Sequence, residues 1–289
     1  MLTRGCLRTS DRIAAGLALA IAAGCSPRTL VVVGTDPCAD GGTVGCVPPV
    51  LLDGLVGYWR LDEAAGSTVA QDLSGNGNNG TLVDLDPANV WVPARAGGGL
   101  AVDAAGFVTV EPSLSIDSIT DQVTIAGWVF LEGTVMDYGT AASRQTRDTI
   151  DQHYHISINS QDQPTLFLQT DVEIVRLTRL LPAPPATPPP TRMTWVHIAG
   201  TYDGSVARLY IDGQPTMSQP MTGRFMPDTT PFLLGANGNG VAGADPIERF
   251  PGVIDEIMLY RRALSADEIA QIHDGVLFPP RFADAAVGN

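Results

Sequence analysis

Short runs of apolar residues, many of them alternating with polar ones, follow one another from residue 55 to residue 260, and Gly, Pro, Asn or Asp separates them. Runs that are rich in β-branched and aromatic residues and end at such turn formers are typical of β-strands. The pattern predicts strands at residues 55–61, 106–110, 123–131, 153–158, 165–170, 195–202, 207–211, 232–235 and 253–260. Because helical patterns do not alternate with these runs, they predict an all-β protein, an antiparallel sandwich or barrel.

Two Asp-Gly pairs give the firmest local prediction. Asp203-Gly204 separates two predicted strands, and Asp212-Gly213 follows the second of them. Asp-Gly between alternating runs favours the tight turns that join antiparallel strands. Residues 195–211 are therefore predicted to form a β-hairpin.

The pattern changes near the C-terminal end of the chain. Ser265 and Glu268 have the spacing of a capping box, in which each side chain accepts a hydrogen bond from the other residue's backbone N–H. An apolar stripe on the following helix is made by Leu264, Ile269 and Ile272. Gly275 is a natural stop. We expect a short C-terminal helix that packs on the rim of the sandwich.

The first 24 residues resemble a targeting segment. Arg4, Arg8 and Arg12 precede an apolar stretch at residues 13–23, which is too short to span a bilayer. Small residues and then Cys25 follow, as in bacterial lipoprotein signals. We therefore expect residues 1–24 to be a signal peptide and Cys25 to be the lipidated residue. The alternative is an ordinary secretory signal with an incidental cysteine.

Residues 25–52 have the composition of a tether. Cys38 and Cys46 lie across a short Gly-containing loop, and an exported protein is expected to join such a pair in a disulfide. Two free thiols in a disordered linker are the alternative. The folded domain is then expected at residues 53–278 and a tail at 279–289. A proline-rich stretch at residues 182–190 is expected to be a surface loop between strands.

The charge balance limits the possible partners. The chain has 17 Lys and Arg residues against 31 Asp and Glu residues, a formal net charge of −14. Such a chain repels phosphate backbones and anionic membranes at long range. We expect no nucleic-acid partner, and contact with a membrane only through the lipid anchor. The sequence does not predict the oligomeric state.

Three motifs carry a resemblance to a known family. They are "GLVGYWRLDEAAGSTVAQDLSGNGNNGTL", "WVHIAGTYDGSVARLYIDGQP" and "FPGVIDEIMLYRRALSADEI", in that order. Together they resemble the laminin-G-like jelly rolls of the concanavalin A-like lectin and glucanase superfamily, here in a bacterial lipoprotein. The resemblance covers about residues 53–274 and implies two antiparallel sheets packed face to face.

The resemblance also implies a metal site. It places the first strand beside the last one, so that Asp62 lies near Asp255, with the Gly- and Asn-rich loop close to both. Carboxylates and amide or carbonyl oxygens are the ligands that calcium prefers. Asp62, Asn78 and Asp255 are therefore the candidate ligands of a structural calcium ion. Alternatively, the loop is only a turn, Asp62 caps a backbone amide, and Asp255 pairs with an arginine.

The carboxylates do not predict catalysis. Retaining glycosidases need two carboxylates close together, and in this superfamily they alternate along one Glu-x-Asp-x-Glu strand, which the sequence lacks. Asp255 and Glu256 are adjacent and are expected on opposite faces of their strand. Asp171 and Glu173 alternate but lack a third member. We therefore expect no enzymatic activity.

The tryptophans suggest where a sugar would stack. Trp59, Trp128 and Trp195 lie within apolar strands and are expected in the core, whereas Trp91 lies in a predicted loop and is the candidate sugar platform. The sequence thus predicts an exported, surface-anchored binding module that recognises a glycan or an extracellular protein. The alternatives are a glycoside hydrolase-like protein of the same fold and a structural envelope or adhesion module.

Overall fold

The structure is a computed structural model that describes residues 49–102, 106–145, 152–179, 192–226, 230–238 and 247–275. Several expectations lie outside these residues: the signal peptide, Cys25, the Cys38–Cys46 disulfide, the proline-rich stretch at 182–190 and the tail at 279–289. Within the described ranges, no helix is long and apolar enough to cross a membrane.

Strands are the main secondary structure of the described chain. In chain order they are β1 (Leu55–Trp59), β2 (Val69–Ala70), β3 (Gly80–Val83), β4 (Trp91–Ala94), β5 (Gly97–Val102), β6 (Phe107–Val110), β7 (Val123–Leu131), β8 (Tyr138–Gln145), β9 (Gln152–Asn159), β10 (Pro164–Gln169), β11 (Ile174–Thr178), β12 (Trp195–Tyr202), β13 (Val206–Ile211), β14 (Gln214–Pro220), β15 (Phe232–Leu234) and β16 (Gly252–Tyr260). The helices are α1 (Pro49–Leu52), α2 (Leu114–Asp117) and α3 (Ala266–His273).

The strands form two antiparallel sheets, as the sequence predicted. The first sheet has the order β14-β13-β12-β7-β16-β5-β4, with β1 also paired to β16. The second has the order β11-β10-β9-β8-β15-β6-β3-β2. The chain often crosses from one sheet to the other between strands. Strands that are neighbours in a sheet are therefore often far apart in the sequence. The architecture is an all-β jelly-roll sandwich.

The core fills the space between the sheets. Alternate residues of most strands point inward, among them Ile125 and Val129 of β7 and Tyr154 and Ile156 of β9. Trp59 of the first sheet stacks on Phe232 of the second with ring centroids 5.3 Å apart. Trp59 is fully buried, which confirms the prediction that it is a core residue.

Several strands were missed because their sequences lack the usual strand composition. Strand β14 is exposed along its whole length and contains Pro215 and Pro220, which suit the edge position that it occupies. Strand β5 begins with three glycines, and β8 is made largely of small and polar residues. These segments are strands because their neighbours pair with them, and intrinsic propensity contributes little.

The predicted hairpin is confirmed, and it continues into a third strand. Strands β12 and β13 pair from Tyr202 and Ala207 onward, with the Asp203-Gly204 turn between them. Asp212 and Gly213 have φ values of 50° and 74°, which are the positive values of a two-residue turn. That turn joins β13 to β14, so the second Asp-Gly pair marks a strand pairing that composition alone does not reveal.

Helix α3 has the predicted capping box. The Ser265 hydroxyl accepts from the Glu268 amide at 3.3 Å, and the Glu268 carboxylate accepts from the Ser265 amide at 2.8 Å. The carboxylate also pairs with Arg262 at 2.7 Å. The helix lies on the outer face of the first sheet instead of at its rim, because Ile269 and Ile272 bury themselves against side chains of that face. Leu51 of α1 joins the same apolar cluster.

Replacing Ser265 with Ala should lower the free energy of unfolding by about 1 kcal/mol, since the Glu268 amide then loses its acceptor. Urea unfolding followed by tryptophan fluorescence measures this loss. The matched control is Ser160→Ala at an exposed turn, which should leave the free energy unchanged. Equal effects of the two substitutions would show that the cap does not stabilise the helix.

Candidate functional site

The first sheet has an outer face, which points away from the second sheet. The extent to which other residues cover this face differs along the strands. At one end, α3 and its flanking residues cover the apolar side chains of this face. The covered side chains are Tyr58, Ala126, Ala199, Tyr210, Met258 and Tyr260. We call this region the covered end. The next position along each strand forms the middle row, in which His197, Trp128 and Asp255 are cross-strand neighbours. The open row follows, and in it Trp195, Phe130, Val253 and Ala101 are cross-strand neighbours.

The middle row is closed from above. The Arg95 guanidinium lies 4.6 Å from the Trp128 ring centroid, and the rings of His197 and His273 lie 5.2 Å from Trp128. Burial lowers the pKa of His197 to about 3, with the nearby His273 adding to the effect, so His197 is neutral at physiological pH. Trp128 is buried as predicted, although it lies outside the core between the sheets.

A β-bulge corrects the expectation that Asp255 and Glu256 point to opposite faces. Asp255 lies opposite Trp128 and Met258 lies opposite Ala126, so β16 has one more residue than β7 over this stretch. Glu256 takes up the extra residue with a φ of 54°. Both carboxylates therefore reach the outer face.

Asp62, Asp255 and Glu256 form a group that we call the acid cluster. The Asp62 carboxylate accepts from the Gly98 amide and lies 3.1 Å from Arg60. The Asp255 carboxylate accepts from the Ala96 amide at 2.9 Å. The Glu256 carboxylate accepts from the Tyr58 hydroxyl at 2.7 Å, and its other oxygen lies 3.6 Å from the Arg60 side chain.

The start of β5 has to be glycine-rich because its backbone lies close to these acids. Gly97 has a φ of 94°, and a Cβ there would lie 2.4 Å from the Asp62 carboxylate. Only a residue without a side chain lets the backbone approach so closely. The glycines that weakened the sequence signal for β5 are therefore what allows Ala96 and Gly98 to donate to the acid cluster.

Burial controls the protonation of the acid cluster. Burial raises the pKa of Asp255 to about 7, and the charge of Asp62 adds to this, while the Ala96 amide opposes it. Burial also raises the pKa of Glu256 to about 9, with the charge of Asp255 adding to the effect. Glu256 is therefore protonated at neutral pH, which limits the repulsion among the three carboxyl groups.

Asn78, the third predicted calcium ligand, contacts groups other than the acid cluster. The Asn78 side chain donates to the Val56 carbonyl at 2.7 Å, and its oxygen accepts from the Ser113 hydroxyl at 2.6 Å. The structure thus brings Asp62 and Asp255 together but places Asn78 in contact with other groups. In the part of the chain that the structure describes, no group of three or more His, Cys, Asp or Glu side chains has a geometry that could hold a metal ion.

The Gly- and Asn-rich loop covers the outer edge of β1. Asp72 accepts from the Tyr58 amide at 3.0 Å and from the Asn78 amide at 2.8 Å, which fixes the two ends of the loop. The Asn76 side chain donates to the Leu55 and Val56 carbonyls at 3.0 Å. This loop thus supplies hydrogen-bond partners to backbone groups of β1.

The open row lines a pocket of about 270 Å³. Its walls are apolar and aromatic with one carboxylate: Val92, Pro93, Ala101, Phe130, Glu132, Trp195 and Val253. The rings of Phe130 and Trp195 lie 5.4 Å apart at an angle of 45°. Trp195 is only half-buried, so the prediction that it belongs to the core is wrong.

Strand alternation assigns Trp195 to the outer face. Val196 and Ile198 point into the core, so Trp195, His197 and Ala199 must point away from it. Apolar neighbours hid this signal, because they suggested burial on both faces. Trp91, the predicted sugar platform, instead packs against the core and donates its indole N–H to the Ser67 carbonyl at 2.9 Å.

The outer face of the second sheet has its own aromatic cluster. His155 stacks on Phe167 at 5.1 Å, and Arg176 lies 5.4 Å from the Phe167 ring and 5.5 Å from Tyr138. His155 and Phe167 are both buried, and burial lowers the pKa of His155 to about 3, with Arg176 adding to the effect. These rings contact protein side chains, whereas those of the open row face a pocket.

The fold is a jelly-roll β-sandwich with an open aromatic pocket on one sheet face. The family model of the concanavalin A-like lectin/glucanases superfamily matches residues 103–270, which is more than half of the chain. The chain belongs to this superfamily, as the sequence motifs indicated. A search of curated proteins gave no match.

Solved structures share the fold at low sequence identity. Domain 4 of AbnA, an extracellular arabinanase of Geobacillus stearothermophilus solved with arabinotriose, has a TM-score of 0.54 and 19% identity over 76% of this chain and 98% of that domain. The binding domain of Paraclostridial Mosquitocidal Protein 1 has a TM-score of 0.57 and 17% identity over 77% of this chain and 52% of that one. Trypanosoma rangeli sialidase has a TM-score of 0.56 and 16% identity over 85% of this chain but only 36% of the sialidase.

The acid cluster should make the stability of the domain depend on pH. The raised pKa values of Asp255 and Glu256 mean that the folded state keeps protons that the unfolded state releases above about pH 4. Their contribution to the free energy of unfolding is thus fully present below about pH 4 and is lost as the pH rises through 7 and 9. Each pKa unit corresponds to about 1.4 kcal/mol.

Glu256→Gln should therefore flatten the decline in the free energy of unfolding between about pH 5 and pH 9, by an amount on the order of a few kcal/mol. The amide oxygen of Gln still accepts from Tyr58, so packing is kept. Urea unfolding at a series of pH values gives the profile, and exposed Glu111→Gln is the control. Parallel profiles for wild type and Glu256→Gln would contradict the raised pKa of Glu256.

Proposed function

We propose that this chain is a glycan-binding module and that the open row is its binding site. The observation that supports this most directly is the pair of partly exposed rings, Phe130 and Trp195, at the wall of a pocket. Binding sites for small molecules are concave and mostly apolar, with a few polar groups that fix the orientation of the ligand. A sugar ring has apolar C–H faces and a polar rim, and it matches such a site.

The dimensions of the pocket fit part of a glycan. Its volume of about 270 Å³ lies just below the range of about 300–1,000 Å³ that is usual for ligand pockets. One ring of a longer chain would stack on Trp195 and Phe130. The Trp195 N–H would donate to a hydroxyl group, and Glu132 would accept from one.

The fold relatives support a glycan ligand. The arabinanase domain was solved with arabinotriose, and the binding domain of Botulinum Neurotoxin DC was solved in complex with SialylT. The first is a domain of a larger enzyme, and the second is the binding domain of a toxin. The closed middle row argues against binding at the centre of the sheet and in favour of its open end.

The arrangement of carboxylates favours binding over hydrolysis. Glycoside hydrolysis requires two carboxylates on either side of the scissile bond. In the acid cluster, Asp255 and Glu256 are at most 1% exposed, so a substrate does not reach them. Among the described residues that line the open row, Glu132 is the only carboxylate. Asp171 and Glu173 bind the backbone of Arg224 and Thr222.

We further propose that the module is exported and held at the bacterial surface by lipid on Cys25. The basis is the sequence alone: the positive segment, the apolar stretch and the small residues before Cys25. A tether with a Cys38–Cys46 disulfide would then separate the sandwich from the membrane. That position suits a module that reaches for glycans outside the cell.

Trp195→Ala should weaken glycan binding strongly, because it removes the larger ring of the pocket and the N–H beside it. A glycan array on the purified domain identifies a ligand, and calorimetry then compares wild type with the variant. We expect a loss of at least about tenfold, since aromatic anchors are often the strongest contributors to a binding site.

Tyr138→Ala is the matched control, because it removes a half-buried ring from the outer face of the other sheet. It should bind the glycan like the wild type. A Trp195→Ala protein that is folded and keeps full affinity would move the site away from the open row.

Calcium binding by Asp62, Asn78 and Asp255 stays a prediction. A bound ion would raise the melting temperature by several degrees at saturation, because a ligand of the folded state stabilises it. Asp255→Asn should remove that response. Wild-type melting curves that coincide in calcium and in chelator would show that the amides and Arg60 alone satisfy these acids.

A further inference from the structure

We infer that the open-row pocket selects its sugar by charge, preferring a ring that carries an ammonium group over a neutral ring, and a neutral ring over one that carries a carboxylate. This inference rests on the proposed glycan-binding function and adds the chemical class of the ligand. It comes from one residue, Glu132, and from the composition of the wall around it.

Glu132 has a fixed place at the pocket. It directly follows β7, two residues after Phe130. Its backbone N–H donates to the Pro251 carbonyl at 3.1 Å, and the next amide, that of Gly133, donates to the same oxygen at 2.8 Å. Both bonds hold the backbone just after the end of β7 against Pro251, while Glu132 is exposed and lines the pocket.

The charge of Glu132 is not neutralised by the described part of the chain. None of the ion pairs found there includes it. Arg192 contacts this segment, but its guanidinium binds the Asp162 carboxylate at 2.8 and 3.1 Å and the Gly133 carbonyl at 2.7 Å. The neighbouring cation is thus already paired with another acid.

The rest of the wall strengthens the effect of this one charge. The other described lining residues are apolar or aromatic, so a bound ring displaces water from beside the carboxylate. Partial removal of water raises the interaction between charges. The net charge of −14 acts in the same direction at long range, but salt screens it.

The expected difference in affinity is that of an exposed ion pair. Because Glu132 is exposed, the ammonium sugar should bind only about two- to fivefold more tightly than the neutral one, and the acidic sugar should be weaker by a similar factor. The order of the three affinities is therefore more informative than any one of them. Raising the salt concentration should compress the order without reversing it.

The test uses three β-1,4-linked trisaccharides that differ at a single substituent on each ring: the trimers of glucosamine, glucose and glucuronic acid. Calorimetry at pH 6, where the amines of the first trimer are largely protonated, gives the three affinities for the wild-type domain. We expect glucosamine above glucose and glucose above glucuronic acid. Glu132→Gln removes the charge but keeps an acceptor oxygen in the pocket, so it should abolish the differences among the three affinities.

Glu111→Gln separates the local charge from the net charge. Glu111 is an exposed acid after β6, in the second sheet, so this variant loses the same charge without altering the pocket. It should keep the wild-type order. An order that collapses equally in Glu111→Gln and Glu132→Gln would overturn the inference in favour of long-range attraction.

Different results would overturn charge selection and glycan binding. Binding of the glucuronic acid trimer as tightly as the glucosamine trimer would overturn charge selection and leave glycan binding in place. Failure of all three trimers to bind, together with a glycan array that shows no ligand at all, would overturn the proposed function and the inference. An affinity order that persists in Glu132→Gln would show that this carboxylate does not select the sugar by charge.

Discussion

Strand β16 holds the first sheet together, because it pairs with β7 along most of its length, with β5 at one end and with β1 at the other. A regular strand would keep one partner on each side. The bulge at Asp255 and Glu256 falls where the partner changes from β5 to β1, and it leaves two carboxyl groups there. The fold tolerates them because Ala96, Gly98, Tyr58 and Arg60 surround the acid cluster. The proton that Glu256 keeps at neutral pH lowers the free-energy cost of burying these acids.

This arrangement decides which part of the sheet face is free to bind. The turn that donates to Asp62 and Asp255 also carries Arg95 over Trp128, so satisfying the acids closes the middle row. Helix α3 closes the other end by burying Ile269 and Ile272. The next position along β7 and β12 has neither cover, and its rings remain partly exposed. The hydrogen bonds that the buried acids need thus leave Phe130 and Trp195 as the accessible aromatic pair at one end of the sheet.

The sequence predicted the sandwich, the hairpin at Asp203-Gly204 and the capped helix, because each depends on local composition or spacing. It did not predict β4, β5 or β14, which lack the usual strand composition and become strands through pairing with their neighbours. It also missed the bulge, since the extra residue at Glu256 is visible only against the register of β7. Proximity of Asp62 to Asp255 came from resemblance to a family, and the contacts of Asn78 required the fold itself.

The assignment of the tryptophans shows how far pattern alone can go. Trp195 and Trp128 both lie in apolar strands, and both occupy the outward set of alternate positions. What distinguishes them is the next layer: His273 and Arg95 cover Trp128, and nothing in the described chain packs over the Trp195 pocket in the same way. Hydrophobicity assigns such residues to a strand, and alternation assigns them to a face. Only the elements that dock on that face decide whether an outward ring serves packing or remains available to a ligand.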